Sequence, residues 1–281
     1  MKLSTEGGET MRVDGTNGLN LWRNLLINQN RTQLLLNQLS TATRLTSANV
    51  DAAGMAVAQQ LRSRVEGYQQ ALSNIYDGIG MLRTAEGGMG SITSNLQRLR
   101  ELAVQASNAT LTAEDRAAIQ SEAQSVLEEI NRTVNTTQYN NRNLLNGEFQ
   151  NVELQVGPSP SDQLTVSIPD LSTEALGLNE VNLQSAEESQ NVISRIDQAM
   201  ERVSSSRSIV GSFVNRLERS AENVANALTN VTASLSTIED MDMARGVLDL
   251  VRLNILRESN LAVTAQANNL SRNNILRLLG F

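Results

Sequence analysis

The chain has no cysteine and no histidine in its 281 residues. Those absences exclude disulfides, thiol and imidazole chemistry, and the ordinary zinc and haem ligands. Carboxylate-only catalysis survives, but it requires a walled, concave site that a helical rod does not readily supply. Proline occurs only at Pro158, Pro160 and Pro169, so everything outside that short segment is free of the strongest helix breaker. Aromatic residues make up 2% of the chain, with Trp22 the single tryptophan. A compact enzyme core normally uses more. No apolar run reaches the length of a membrane-spanning helix, so no membrane partner is expected. The polar start, Met1 to Glu9, lacks the apolar stretch of a cleaved secretory signal. The formal charge is −7, and no Lys/Arg cluster is interleaved with aromatics, which argues against a nucleic-acid partner. The missing cysteine fits a protein that works outside the cell without disulfides.

What the chain does have is apolar periodicity. Leu61, Val65, Tyr68, Leu72, Ile75, Ile79 and Leu82 recur in steps of four and three, and the rhythm continues through Ala85, Met89, Ile92, Leu96, Leu99, Ala103 and Ala106. In the second half it returns from Ile193, Ile196, Met200 and Val203 to Leu235 and Ile238, with Arg207 as the one charged entry in the stripe. A 3.5-residue spacing held over several heptads keeps one apolar stripe against a partner helix. Arg207 reads as a snorkelling or paired side chain.

The pattern predicts a mainly α chain: an elongated antiparallel helical bundle or coiled coil with a small β-hairpin segment and two terminal helical arms. Residues 1–18 are Gly-, Thr- and Glu-rich without periodicity and read as a flexible extension. Residues 19–45 form an N-terminal helical arm whose apolar stripe is interrupted by Gln29 and Gln33, so it has little to hold it in water alone. Residues 46–137 supply one half of a helical rod, with N-cap candidates around Asp51 and a capping pair at Thr112 and Asp115. Residues 138–182 hold a β segment: 148–156 and 164–168 alternate polar and apolar around a Gly157–Asp162 turn. Residues 183–239 supply the other half of the rod, and 240–281 a C-terminal helical arm. The β segment reverses the chain, which places the two arms side by side.

The stretch Leu39-Ser40-Thr41-Ala42-Thr43-Arg44-Leu45-Thr46-Ser47-Ala48-Asn49 resembles the N-terminal signature of bacterial flagellins. Thr84-Ala85-Glu86-Gly87, Leu96 to Ala106 and Leu144-Leu145-Asn146-Gly147 continue the resemblance. Val203-Ser204-Ser205-Ser206-Arg207, Asn215-Arg216-Leu217-Glu218 and Gln266-Ala267-Asn268 are similar to the C-terminal signature. Ala42 stands where the family commonly has Gly, and Met11-Arg12-Val13-Asp14 is the nearest match to the family's usual beginning.

The resemblance implies a structural subunit that polymerises into the bacterial flagellar filament used for swimming, with no enzymatic activity, cofactor or metal. It implies export through the flagellar type III apparatus, an extracellular location, and self-association into a helical homopolymer. Further partners implied are an export chaperone, the filament cap and hook-junction proteins. The terminal arms pack as an inner tube, through Leu19, Trp22, Leu26, Leu36, Leu250, Leu261 and Leu278. Gln97, Arg98, Leu99, Glu101, Leu102 and Glu122 match a surface that related flagellins use for filament contacts and that the innate immune receptor TLR5 recognises. Ser159 and Ser161 of the hairpin match regions that carry O-linked glycans in the family. The alternatives are a hook–filament junction protein of the same family and, from a different class, an enzyme displayed on this scaffold. The second needs an inserted domain that the short central segment does not provide.

Overall fold

The computed structural model describes residues 13–278, with side chains described between residues 20 and 269 apart from those at 21, 267 and 268. Residues 1–12 of the expected extension lie outside that range. In chain order the described elements are α1 (Val13–Thr41), α2 (Ala52–Ala106), α3 (Ala113–Thr136), β1 (Gln138–Tyr139), β2 (Arg142–Asn143), β3 (Val152–Gln155), β4 (Gln163–Val166), α4 (Ala186–Glu239) and α5 (Met243–Leu278). The first helix therefore begins at Val13, ahead of the periodicity that predicts it from Leu19. Residues 13–18 are helical, not a flexible extension.

A short polar side chain opens each later helix, satisfying amides that have no partner within the helix. The Gly54 amide donates to Asp51 Oδ1 at 2.9 Å at the head of α2. Thr112 and Asp115 form the expected capping box at the head of α3. The Glu188 amide donates to Ser185 Oγ at 3.2 Å before α4, and the Arg245 amide to Asp242 Oδ1 at 3.1 Å before α5. Arg116 closes the other end of α2. Its guanidinium donates to the carbonyls of Ala106, the last residue of α2, and of Asn108 and Leu111 beyond it.

The described residues fall into two compact units: a terminal unit of those before Ser63 and after Val231, and a central unit, Ser63–Val231. In the central unit α2 and α4 run antiparallel. Arg83 pairs with Glu218 at 3.3 Å and Arg100 with Asp197 at 2.8 Å, so rising numbers in one helix meet falling numbers in the other. Helix α3 returns along α2, with Arg98 against Glu122 and Gly88 against Thr137. The middles of both ladders form the core: Ile75, Leu82, Ala85, Met89, Ile92, Leu96, Leu99, Ala103 and Ala106 of α2 meet Ile196, Val203, Val210 and Leu217 of α4. Ile130 and Val134 of α3, with Leu144, Leu145 and Phe149 of the following segment, complete it.

The expected stripe on α4 needs one correction. Arg207 is exposed and lies 3.7 Å from Glu86, while the adjacent Ser206 is buried at 4% exposure. The buried surface of α4 is two rows wide, with Val192, Ala199 and Ser206 beside Ile193, Met200 and Arg207. At this level the row carrying serine turns inward. Ser206 Oγ satisfies itself on the Arg202 carbonyl at 2.9 Å.

The hairpin β3–β4 pairs Val152 with Val166 and Leu154 with Leu164, burying Leu164 and Val166 while Thr165 faces out. A second, smaller hairpin, β1–β2, turns through Asn140 and Asn141 at φ 48° and 60°. Positive φ at both central residues is the twist a two-residue hairpin requires, and asparagine tolerates it. Between β4 and α4 an irregular stretch buries Leu171, Leu176, Leu178, Val181 and Leu183. Helix side chains supply its backbone partners: Asn131 contacts Thr173, Gln120 bonds both Val181 O and the Leu183 amide, and Arg195 bonds the carbonyls of Gly177 and Glu180.

Candidate assembly surface

The terminal unit joins α1 and α5 as an antiparallel pair with the short chain segments beside them. An isolated bridge between Thr43 and Asp240 ties the two ends together. The Arg44 amide donates to Glu239 O at 2.7 Å and the Met241 amide to Ala42 O at 3.1 Å. Further along, α1 and α5 approach closely at Gly246, where an added Cβ would lie 2.5 Å from Met241 Cε and 2.8 Å from Leu39 Cδ2. Arg31, Leu34, Leu35, Gln38, Asp249, Arg252, Leu253 and Leu256 line a groove of about 360 Å³ between the helices.

Apolar burial within this unit is sparse. Among the described residues only Leu35, Leu45 and Ala58 are buried hydrophobics here. Polar contacts take the place of a core. Glu239, 9% exposed, receives a forked pair of hydrogen bonds from the Arg62 guanidinium. Arg44 donates to Ile238 O at 2.7 Å, and buried Gln38 donates to Arg44 O at 2.7 Å.

The large apolar side chains point outward instead. Trp22 is 61% exposed, Leu26 53%, Leu36 48%, Leu248 70%, Ile255 60% and Leu261 51%. The central unit, about one and a half times longer in sequence, exposes only Tyr76, Val104 and Ile209 among its large hydrophobics. Burying the half of a large apolar side chain still in water stabilises by about 1 kcal/mol, so these six together carry about 6 kcal/mol of unused association energy before entropic costs. Apolar stripes of this extent mark protein contact surfaces. Of the residues expected in inner-tube packing, Trp22, Leu26, Leu36 and Leu261 are exposed and Leu250 is half-buried. The side chains of Leu19 and Leu278 lie outside those described.

The second expected surface is on α2 and α3 of the central unit. Arg98 Nη1 bonds Glu101 Oε2 at 3.0 Å, and its Nε bonds Glu122 Oε1 at 3.1 Å. Glu122 first and then Glu101 hold that guanidinium's pKa above its ordinary value. Gln97, Arg98, Glu101 and Glu122 are exposed, but Leu99 and Leu102 are 0% and 1% exposed. Those two leucines belong to the core and cannot form part of a recognition surface, because their side chains are buried in the hydrophobic cluster that α2 shares with α3 and α4. Val104, with Gln97, Arg100, Glu101 and Gln105, lines a shallow groove of about 590 Å³ in their place. In the hairpin turn Ser159 and Ser161 are exposed, and Asp162 Oδ2 accepts from the Ser159 amide at 3.1 Å. No cluster of three metal-ligating side chains occurs among the described residues, and no described helix is long and apolar enough to cross a membrane.

Comparison with known proteins agrees with this architecture. Residues 16–150 match the bacterial flagellin N-terminal helical region, and residues 193–279 match the bacterial flagellin C-terminal helical region. The chain is 39% identical over 252 residues to a flagellin of Halalkalibacterium halodurans, covering 89% of this chain and 93% of that one. It is 34% identical to a flagellar filament core protein of Brachyspira hyodysenteriae, covering 86% and 90%. The crystal structure of Bacillus cereus flagellin aligns with a TM-score of 0.50 at 28% identity, covering 58% of this chain and 94% of that one. With both terminal regions matched and most of its length aligned to a flagellin, this chain belongs to the bacterial flagellin family.

Proposed function

We propose that this chain is the structural subunit of a bacterial flagellar filament, an extracellular homopolymer that serves swimming motility, and that it catalyses no reaction. One observation carries the reading: the central unit closes its own core, whereas the paired arms leave their apolar stripe in water. An arm pair of that kind is completed by neighbouring copies, so ordering of the arms is linked to assembly. Contacts that repeat without closing a ring generate an open helical polymer. Leu19, Trp22, Leu26, Leu36, Leu250, Leu261 and Leu278 form the inner-tube packing in this arrangement, with residues 19–45 and 240–281 as its arms.

The finer elements follow the family. The chain travels unfolded through the flagellar type III apparatus with an export chaperone and adds beneath a cap, above hook-junction proteins. Gln97, Arg98, Glu101 and Glu122 are the exposed part of a filament-contact surface that TLR5 recognises in free subunits, and Ser159 and Ser161 are the O-glycosylation positions.

Negative-stain microscopy with sedimentation of the purified chain tests the proposal. The subunit reading expects long pelletable polymers, and chains lacking 1–45 or 240–281 that stay helical yet fail to pellet. Monomers that only decorate the ends of preformed filaments indicate a hook–filament junction protein instead.

A further inference from the structure

Of the chain's 23 basic residues, 22 are arginines and one, Lys2, is a lysine. Lysine is ordinarily among the commonest residues of a protein, so the imbalance is large. The two cations differ in the pH range over which they stay charged. A lysine ammonium ionises near pH 10.4, while a guanidinium stays protonated to about pH 12 and beyond. Since histidine and cysteine are also absent, three tyrosines and Lys2 are the side chains that titrate between the carboxylate range and the guanidinium range.

Every cation in the described contacts is therefore an arginine, and the contacts are structural. Arg62 forks onto buried Glu239. The other charged groups around that pair are Arg44, which holds the carbonyls of Ile238 and of Glu239 itself, Asp51 at 3.8 Å from Arg44, and Asp240 and Asp242 in the turn before α5. Arg83 and Arg100 bridge α2 to α4. Arg116, Arg195 and Arg202 hold irregular segments by donating to backbone carbonyls, Arg202 to Ala175 O at 2.8 Å. A lysine at any of these places loses its charge near pH 10 to 11, and with the charge its ion pair and one donor.

We infer that the subunit is built to stay folded and assembled in strongly alkaline surroundings, with its ion-pair and loop contacts carried throughout by cations that remain charged past about pH 11. The inference rests on the filament reading for the word assembled, but not for the word folded. The linkage has a definite sign. Carboxylate partners raise the pKa values of Arg98, Arg100 and Arg132, with Glu122, Asp197 and Glu129 as the respective main causes. Cations raised in the folded state contribute stability that is complete below their unfolded pKa and lost above the folded one, which for arginine lies beyond about pH 12. The carboxylates stay ionised above about pH 6. The ion-pair contribution is therefore flat from about pH 6 to about pH 11.

The test uses the full chain at matched ionic strength. Pelletable filament and the circular-dichroism unfolding temperature of dilute monomer are followed from pH 7 to about pH 11. Arg62→Lys and, separately, Arg195→Lys are compared with the natural chain. The natural chain should keep its pelletable filament across the range and should lose no more unfolding temperature than its three tyrosines, which the variants share, account for. Each lysine variant should match it at pH 7 and lose unfolding temperature with a midpoint at about pH 10 to 11. A natural chain that depolymerises and loses unfolding temperature between about pH 9 and 11 overturns the inference, and so do lysine variants as alkali-resistant as the parent. If Arg62→Lys does not fold at pH 7, Arg195→Lys and the parent profile still decide. Absence of filaments at pH 7 contradicts the filament reading alone, because the monomer profile remains a test of alkaline stability.

Discussion

Three glycines within one turn of α2 should respond to alanine in opposite directions. Gly87, Gly88 and Gly90 lie mid-helix, where glycine is less favourable than alanine by about 0.8–1 kcal/mol. An added Cβ meets nothing within 4 Å at Gly87 or Gly90. At Gly88 it would lie 2.7 Å from Thr137 Oγ1, 2.8 Å from Leu145 Cδ1 and 2.9 Å from Thr137 Cγ2. Neither neighbour yields easily, because Thr137 Oγ1 is bonded to Thr133 O at 2.7 Å and Leu145 is 0% exposed. Forcing a methyl into such packing costs about 1–3 kcal/mol, which exceeds the helix-propensity gain in most of its range. Gly87→Ala and Gly90→Ala are therefore expected to stabilise by about 0.5–1 kcal/mol each, and Gly88→Ala to destabilise by up to about 2 kcal/mol once the propensity gain is subtracted. For a unit of this size each kcal/mol moves the unfolding temperature by about 2–4 °C. Thermal unfolding of dilute monomer followed at 222 nm reads the difference, using the usual helix band. If Gly88→Ala raises the unfolding temperature as much as Gly87→Ala, α3 and the segment after it do not pack against α2 as described.

Two further outcomes follow from local geometry. Ala42 has φ 54°, in the left-handed region that costs a non-glycine residue about 1–2 kcal/mol, and the Met241 amide bonds its carbonyl at 3.1 Å. Ala42→Gly should therefore stabilise the terminal unit by up to about 1 kcal/mol, part of the relief being offset by glycine's freedom when unfolded. Slower proteolysis at residues 42–51 would register it, and faster cleavage there would contradict it. In acid, Asp115 is held below its ordinary pKa mainly by the Thr112 hydroxyl, and Glu129 mainly by its hydrogen bonds from Arg132. Carboxylates depressed in the folded state contribute stability that is present above their unfolded pKa and lost as pH falls through the folded one. Unfolding temperature should hold steady down to about pH 5 and decline below about pH 4, less steeply in Thr112→Ala; an equal slope in that variant contradicts the capping-box linkage.

Most of the long-range organisation was legible because a heptad repeat is a long, redundant signal. From Ile75 to Ala106 each residue of the four-and-three ladder is buried, while its ends, such as Leu61, Val65, Leu235 and Ile238, are half-buried, and on α4 the seam is two rows wide, so that Ser206 rather than Arg207 turns inward. Leu99 and Leu102 show how a matched surface motif can mislead. Leu99 is a member of the apolar ladder, so periodicity places its side chain in the core; Leu102 lies outside the ladder, one helical turn from Leu99, and is buried beside it. The β1–β2 hairpin is too short for alternation to register, and the adjacent pair Asn140-Asn141 was the signal available for it. The segment from Leu171 to Leu183 has no period at all. Its position depends on side chains distant in sequence, Gln120, Asn131 and Arg195, which no local pattern announces. The arms were legible by their weakness: a stripe interrupted by Gln29 and Gln33 is one that a single subunit leaves in water, as the exposure of Trp22 and Leu26 reflects.

Hydrogen exchange compared between dilute monomer and assembled filament tests the central claim most directly, that the arms are completed by neighbouring copies. In monomer, amides of α1 and α5 should exchange far faster than those of α2 between Ile75 and Ala106. In filament, protection should rise by orders of magnitude around Leu26, Leu36, Val251 and Ile255 and change little along the central ladder. Arms already as protected in monomer as the ladder, or no gain on assembly, would contradict the account.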